Sequence, residues 1–227
     1  RKADGASRQM QQQLSTRVQW IALDLAKQDA PFALYRFCKG KRVDLLVNNA
    51  GFGLFGNLWE TDLQEELELL DVNIRALHIL TKLFVKEFRR RNSGILLNVA
   101  SSAGFLTGPL MASYYASKNY VVRLSLALAE ELRRAGSSVS VSVLCPGPVD
   151  TNFNNRAGVS FHVQALDSKT VARYAIDGAL HGKTILVPGL LMKLSLFGAR
   201  LVPPKLLLLD EHTAALDPAT SEKIMQI

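Results

Sequence analysis

GILLNVASSAGFLTGPLMASYYASKNYVVRLSLALAEELRRAGSSVSVSVLCPGPVD, residues 94–150, decides the fold. An apolar strand, ILLNVAS, begins at residue 95, a loop covers 101–110, and a helix runs near 111–135. A second strand, SVSVSVLC (138–145), follows, and Pro146-Gly147-Pro148 opens the next loop. Two strands joined by a long helix run parallel, because antiparallel neighbours need only a short turn. The same alternation extends outward. Upstream, RVQWIALDL (17–25) reads as a buried strand, 27–38 as helix and VDLLVNN (43–49) as strand, followed by the glycine-rich loop AGFGLFGN (50–57). Leu63, Leu67, Leu70, Ile74, Leu77, Leu80, Phe84 and Phe88 then recur at helical spacing over roughly 60–91, and Asn92-Ser93-Gly94 ends that helix. Downstream come a helix near 168–181, a strand TILVP (184–188) and an amphipathic stretch to about 202. Strands alternating with helices predict an α/β, Rossmann-like doubly wound parallel sheet, covered on both faces.

Composition narrows the class. With 227 residues, 48% hydrophobic and 21% charged, the chain can bury a full core, which excludes a disordered, collagen-like or disulfide-stapled protein. No apolar run approaches the roughly 18 residues of a membrane span, and RKADGASRQMQQQ lacks the apolar stretch of a signal peptide. Cys38 and Cys145 stand far apart in apolar surroundings, which predicts reduced thiols and a cytoplasmic location. The net charge is +7. Its short clusters, Lys39-Lys41-Arg42 and Arg89-Arg90-Arg91, read as helix-capping or solvated charge, so no nucleic-acid partner is expected.

Tyr114 and Lys118 are four apart on the 111–135 helix and share a face. A phenol titrates near pH 10, and an ammonium beside it favours the phenolate, so the pair could serve as a tuned acid/base. On that spacing alone, the pair equally reads as an ordinary aromatic–cation contact. Ser101 ends a strand, at the carboxyl edge where α/β sheets bind ligands, and its hydroxyl could polarise a carbonyl. Taken alone, it is a turn serine. NNAG (48–51) also ends a strand in small residues, and Asn73 in DVNIRA is polar within an apolar helix.

The ordered set formed by Asp24, Asn48-Asn49-Ala50-Gly51, Asn73, Asn98 through Gly104, Tyr114 through Lys118, and Cys145 through Thr151 resembles the short-chain dehydrogenase/reductase family across about residues 1–203. That resemblance implies hydride transfer between NADP (NAD as the second choice) and a carbonyl or alcohol of a small molecule, with 152–166 as the substrate lid, whose Phe153, Val159, Phe161 and Leu166 point to an apolar substrate. It implies Tyr114 as acid/base and Lys118 as the residue that lowers the tyrosine pKa and holds the ribose. Ser101 orients the carbonyl, and Asn73 holds a proton-relaying water. Asp24 and Leu25 border the adenine, Asn49, Ala50 and Gly51 line the cleft, and Pro146, Gly147, Val149 and Thr151 meet the nicotinamide end. Arg1 and Lys2 tilt the choice towards NADP. A homodimer or homotetramer formed through the helices near 60–91 and 111–135 is also implied, and no metal site is expected.

Two departures complete the expectations. The family's opening strand, its TGxxxGxG turn, its first helix and its second strand are absent here, which predicts a truncated domain (1–204) with weakened cofactor binding, aggregation or inactivity. The sheet order 3-2-1-4-5-6-7 would then lack its first two strands. The tail, KLLLLDEHTAALDPATSEKIMQI (205–227), resembles the Walker B segment and D-loop of ATP-binding cassette ATPases, with Asp210, Glu211 and Asp217 at the matching positions. The competing readings are therefore a fragment of a transporter ATPase and a non-catalytic nucleotide-binding remnant. The first lacks a GxxxxGK[ST] loop.

Overall fold

A computed structural model of the chain describes residue 10, residues 17–151 and residues 165–199. Elements alternate as expected: α1 (Ala30–Cys38), β1 (Leu45–Asn48), α2 (Leu63–Leu70), a π-helical turn (Asp71–Ala76), α3 (Leu77–Arg91) and β2 (Ile95–Val99). A 3-10 turn (Ser102–Phe105), α4 (Ala112–Arg134), β3 (Ser140–Leu144), α5 (Ser168–Leu180), β4 (Ile185–Leu186) and α6 (Leu190–Ala199) follow. The sheet order is β1-β2-β3-β4, and every pairing is parallel.

Local chemistry sets the boundaries. The Asp62 side chain accepts from the Glu65 N–H and starts α2, and Asp167 accepts from the Thr170 N–H and starts α5. At the end of α3, Asn92 takes φ 48°, the left-handed cap conformation that asparagine tolerates. Its Oδ1 then accepts from the Ser138 N–H at 2.9 Å, which ties the end of α3 to the entry of β3.

Strand parity distributes the core between two faces. Leu96 of β2 joins Leu80, Phe84 and Phe88 of α3 and Leu132 of α4 on one side. Its neighbour Leu97 points the other way, to Val171, Ala175 and Ala179 of α5. The sheet is thus covered on both faces, as the alternation requires. Among the described residues, no helix is long and apolar enough to cross a membrane.

Residues 17–25 correct the sequence reading: they form no strand, and Trp20 and Ile21 are exposed. A strand persists only where a neighbour takes up its N–H and C=O groups. Among the described residues, β1 pairs with β2 alone, so this segment has no ladder to join. It turns instead at Asp24, whose Oδ1 accepts from the Ala26 N–H at 3.0 Å. The predicted strand 184–188 shrinks to Ile185 and Leu186, in register with Val143 and Leu144 at the end of β3 and held by the Val143 and Cys145 N–H groups, which donate to the Thr184 and Leu186 carbonyls. Residues 205–227, read as ATPase-like, residues 152–164 of the expected lid, and Arg1 and Lys2 lie outside the described residues.

Candidate active site

The carboxyl ends of β2 and β3 carry the site. After Val99 the chain stays extended at Ser101 (φ −168°), whose Oγ accepts from the Ala103 N–H at 3.2 Å and starts the 3-10 turn. The Ser102 N–H donates to the Pro146 carbonyl at 2.8 Å, which joins the loop after β2 to the loop after β3. Helix α4 passes beneath both loops. Gly104 makes that approach possible, because a Cβ there would lie 2.8 Å from the Lys118 carbonyl oxygen and 2.6 Å from Val122 Cγ2.

A cavity of about 410 Å³ results. Its lining includes Ser101, Tyr114 and Lys118 together with Asn49, Gly51, Pro146, Gly147, Val149 and Thr151. Leu25 and Ala50 line a smaller cleft of about 80 Å³, which shares Asn49 with the main cavity. Asp24 is exposed and lines neither. Asn73 is buried behind the wall rather than on it.

Tyr114 is 8% and Lys118 5% exposed, so both are titratable groups almost cut off from water. Lys118 Nζ donates to the Val99 carbonyl at 3.2 Å and stands 5.7 Å from the Tyr114 ring centroid. Burial pulls Lys118 down to about 8, against a smaller upward pull from Cys145. Burial also raises the Tyr114 phenol above its ordinary value, and a hydrogen bond with Ser101 opposes the rise. Burial thus sets the direction of the Tyr114 shift, while the Lys118 ammonium is aimed at a backbone carbonyl. The lowering influence on the phenol comes from Ser101.

Asn73 has a fuller set of partners than its sequence suggested. Its Oδ1 accepts from the Phe52 N–H at 3.1 Å, and its Nδ2 donates to the Phe52 carbonyl at 2.9 Å and to Ser117 Oγ at 3.0 Å. Ser117 in turn donates to the Tyr114 carbonyl at 2.7 Å. The π-helical turn thereby holds both the loop after β1 and the first turns of α4. A Cβ on Gly51 would lie 2.9 Å from Asn73 Oδ1 and 3.1 Å from Lys118 Nζ, so both side chains converge on that glycine. Ser117 escaped the sequence reading because nothing separates it from an ordinary small helix residue.

A buried polar ladder was also missed. Asn48 Nδ2 donates to Asn98 Oδ1 at 2.9 Å and to Thr81 Oγ1 at 3.2 Å, while Asn98 Nδ2 donates to Ser125 Oγ at 2.9 Å. This ladder ties β1, β2, α3 and α4 together next to the cavity. Its signal was available: each asparagine interrupts an apolar strand, a position that demands a partner.

Gly51 and Gly147 line the cavity, Lys118 and Ser101 supply polar atoms, and the second cleft adjoins it at Asn49 and carries Leu25. These features fit the nicotinamide and ribose end of a dinucleotide. Among the described residues, no group of His, Cys, Asp and Glu suits a metal ion.

A parallel sheet with helices on both faces and its cavity at the strands' carboxyl ends defines a doubly wound α/β protein of the nucleotide-binding class. The model of the short chain dehydrogenase family matches residues 1–159, and the chain belongs to that family of oxidoreductases. Estradiol 17-beta-dehydrogenase 11 of Mus musculus is 31% identical over 172 residues, 75% of this chain and 57% of that protein. A short-chain dehydrogenase from Sphingobium yanoikuyae, solved in complex with NADPH, is similar with a TM-score of 0.77 at 24% identity, covering 87% of this chain and 79% of that one. A short-chain dehydrogenase/reductase from Burkholderia phymatum, solved in complex with NAD, gives 0.74 at 25% identity, covering 85% and 79%. The chain spans 40% to 60% of the lengths of three curated relatives.

Proposed function

We propose that residues 1–204 form the body of an NAD(P)-dependent oxidoreductase that interconverts a small, apolar carbonyl compound and its alcohol. One observation carries this reading: Ser101, Tyr114 and Lys118 line one cavity, with Ser101 near enough to the phenol to oppose the effect of burial on it. A nicotinamide dinucleotide, when bound, supplies or accepts the hydride. NADP is preferred and NAD second, in keeping with relatives solved with NADPH and with NAD.

Ser101 donates to the substrate carbonyl and fixes its oxygen beside the Tyr114 hydroxyl. Tyr114 then gives its proton to that oxygen as negative charge develops there. A raised phenol pKa keeps this proton in place at neutral pH, which suits the reductive direction. Lys118, mostly charged below about pH 8, compensates the phenolate left behind and holds the ribose. Asn73 fixes the Gly51 loop against Lys118 and orients the proton-relaying water. Asn49, Ala50, Gly51, Pro146, Gly147, Val149 and Thr151 shape the cofactor cleft, with Asp24 and Leu25 at its adenine end. The cavity's apolar members, such as Met111, Val149 and Val171, favour an apolar substrate. Association into a homodimer or homotetramer through α3 and α4 accords with the groove of about 480 Å³ between them.

The test is NADPH titration by fluorescence, together with turnover of a ketone panel. Tyr114→Phe is expected to lower turnover by about 100-fold or more while NADPH affinity stays within about twofold, well under the tenfold that 1.4 kcal/mol represents. Unchanged turnover in the variant removes Tyr114 from the mechanism. Because the sequence predicts weakened cofactor binding and low activity for this chain, the titration is carried to high NADPH, and a soluble wild-type chain that shows no binding even there overturns the reading.

A further inference from the structure

A second concavity lies at the opposite end of the sheet. Arg91 donates to the carbonyl of Val43, which precedes β1, whereas the candidate active site sits beyond the strands' carboxyl ends. The concavity has a volume of about 310 Å³, and its walls include Tyr35, Lys39, Lys41, Glu87, Arg90 and Arg91. The two basic clusters of the sequence, far apart along the chain, meet here: one follows α1 and the other ends α3.

The loop after α1 is shaped for this meeting. Gly40 takes φ +79°, and the Lys41 N–H donates back to the Cys38 carbonyl at 3.0 Å, so the chain doubles over the end of α1. Lys41 Nζ lies 3.6 Å from the centroid of the Phe37 ring, which holds its position. Asp44 takes Arg42 at 3.0 Å and Arg91 at 3.5 Å, while Glu87, whose Oε1 accepts from the Tyr35 hydroxyl at 2.5 Å, keeps its negative charge in the wall against the cations of Lys39, Lys41, Arg90 and Arg91. Among the described residues, no carboxylate lies within ion-pair distance of Lys39, Lys41 or Arg90. The negative ends of α1 and α3 account for basic residues in their last turns. They do not account for a concavity between those ends in which Lys39, Lys41 and Arg90 lack carboxylate partners.

We propose that this concavity is a binding site for a phosphate-bearing polyanion of diphosphate size, separate from the candidate active site. Its volume falls at the lower end of small-ligand sites. The Arg90 guanidinium matches phosphate oxygens in pairs, Lys39 and Lys41 add point charges from the facing wall, and Arg91, held by the Ser93 and Val43 carbonyls and by Asp44, contributes its charge to the field alone. The phosphate belongs either to a soluble diphosphate or to the headgroup of an acidic lipid, and the two sources separate experimentally.

The probe is inorganic pyrophosphate, titrated calorimetrically into the full chain at low salt. Vesicles of phosphatidylcholine with and without phosphatidylglycerol form a second arm. Lys39→Gln with Arg90→Gln is expected to weaken pyrophosphate binding by about tenfold or more, the loss of at least one charge-assisted contact. A charge-matched control on another surface, Arg123→Gln with Lys183→Gln, leaves the affinity within about twofold, under the tenfold of 1.4 kcal/mol. Equal melting temperatures of the two double variants exclude misfolding as the cause. Binding only to acidic vesicles, lost in the Lys39/Arg90 variant, supports the same site and assigns its ligand to a headgroup. Pyrophosphate or vesicle binding that the Lys39/Arg90 variant retains in full belongs to another surface and overturns the proposal, as does the absence of binding in both arms.

Discussion

Lys118 and Cys145 make stability depend on pH in opposite senses. The Lys118 ammonium is held at about 8 in the folded chain, below its ordinary value of 10.5, because burial disfavours its charge. Below about pH 8 both folded and unfolded chains carry the proton, and the full penalty is present. Between about 8 and 10.5 only the unfolded chain keeps it, so this group's contribution to stability rises with pH. Cys145 is pushed up to about 12, so above about pH 9 the unfolded thiol ionises first and stability falls. Between pH 8 and 9 the Lys118 effect amounts to roughly 1 kcal/mol, and ionisation of the unfolded thiols of Cys145 and Cys38 offsets part of it. Urea unfolding at those two pH values is expected to change more favourably with pH in the wild-type chain than in Lys118→Met, which keeps both thiols, by roughly that 1 kcal/mol. A second residue-scale test concerns Gly104. An alanine Cβ there meets the backbone oxygen of Lys118, which cannot rotate away, so Gly104→Ala is expected to cost about 1–3 kcal/mol in urea unfolding.

Between elements, the polar ladder is the joint that matters most. Asn98 receives Asn48 from β1 and donates to Ser125 on α4, all in surroundings closed to water. Asn98→Ala leaves Ser125 Oγ without this donor and Asn48 Nδ2 with Thr81 alone, and is expected to lower stability by about 2–3 kcal/mol. A denaturation midpoint within error of wild type would remove the ladder from the account. The Asn73–Ser117–Tyr114 chain ties the π-helical turn to the start of α4 in the same way. Residue identity announced part of this. An asparagine inside an apolar strand signals a buried partner, but period and composition do not say which strand or helix provides it.

For the molecule as a whole, the exposed flank of β1 has the most direct consequence. Val47 is 42% exposed on a strand that pairs, among the described residues, with β2 alone. Unpaired backbone beside an exposed β-branched side chain is a template for association between chains. Light scattering of the chain is expected to rise with concentration, and Val47→Lys is expected to suppress that rise. Scattering that is the same in both chains means that association, if present, uses another surface. The helical periodicity of 60–91 and the strands around 45, 95 and 140 were legible because each depends on nearest neighbours and a single buried face. Residues 17–25 were not, since a β-branched, aromatic run becomes a strand only where another strand stands beside it.

The order of strands and helices, the placing of Ser101 at a strand end and the shared face of Tyr114 and Lys118 follow from the sequence by itself, because period and spacing along one element fix them. Tertiary structure alone decided that burial raises the Tyr114 phenol and that Ser101 opposes the rise. It also decided that Asn73 works through Phe52 and Ser117, and that two distant basic clusters share one concavity. Those outcomes depend on which groups lose water and which meet across elements, and both are set only when the sheet and its helices pack.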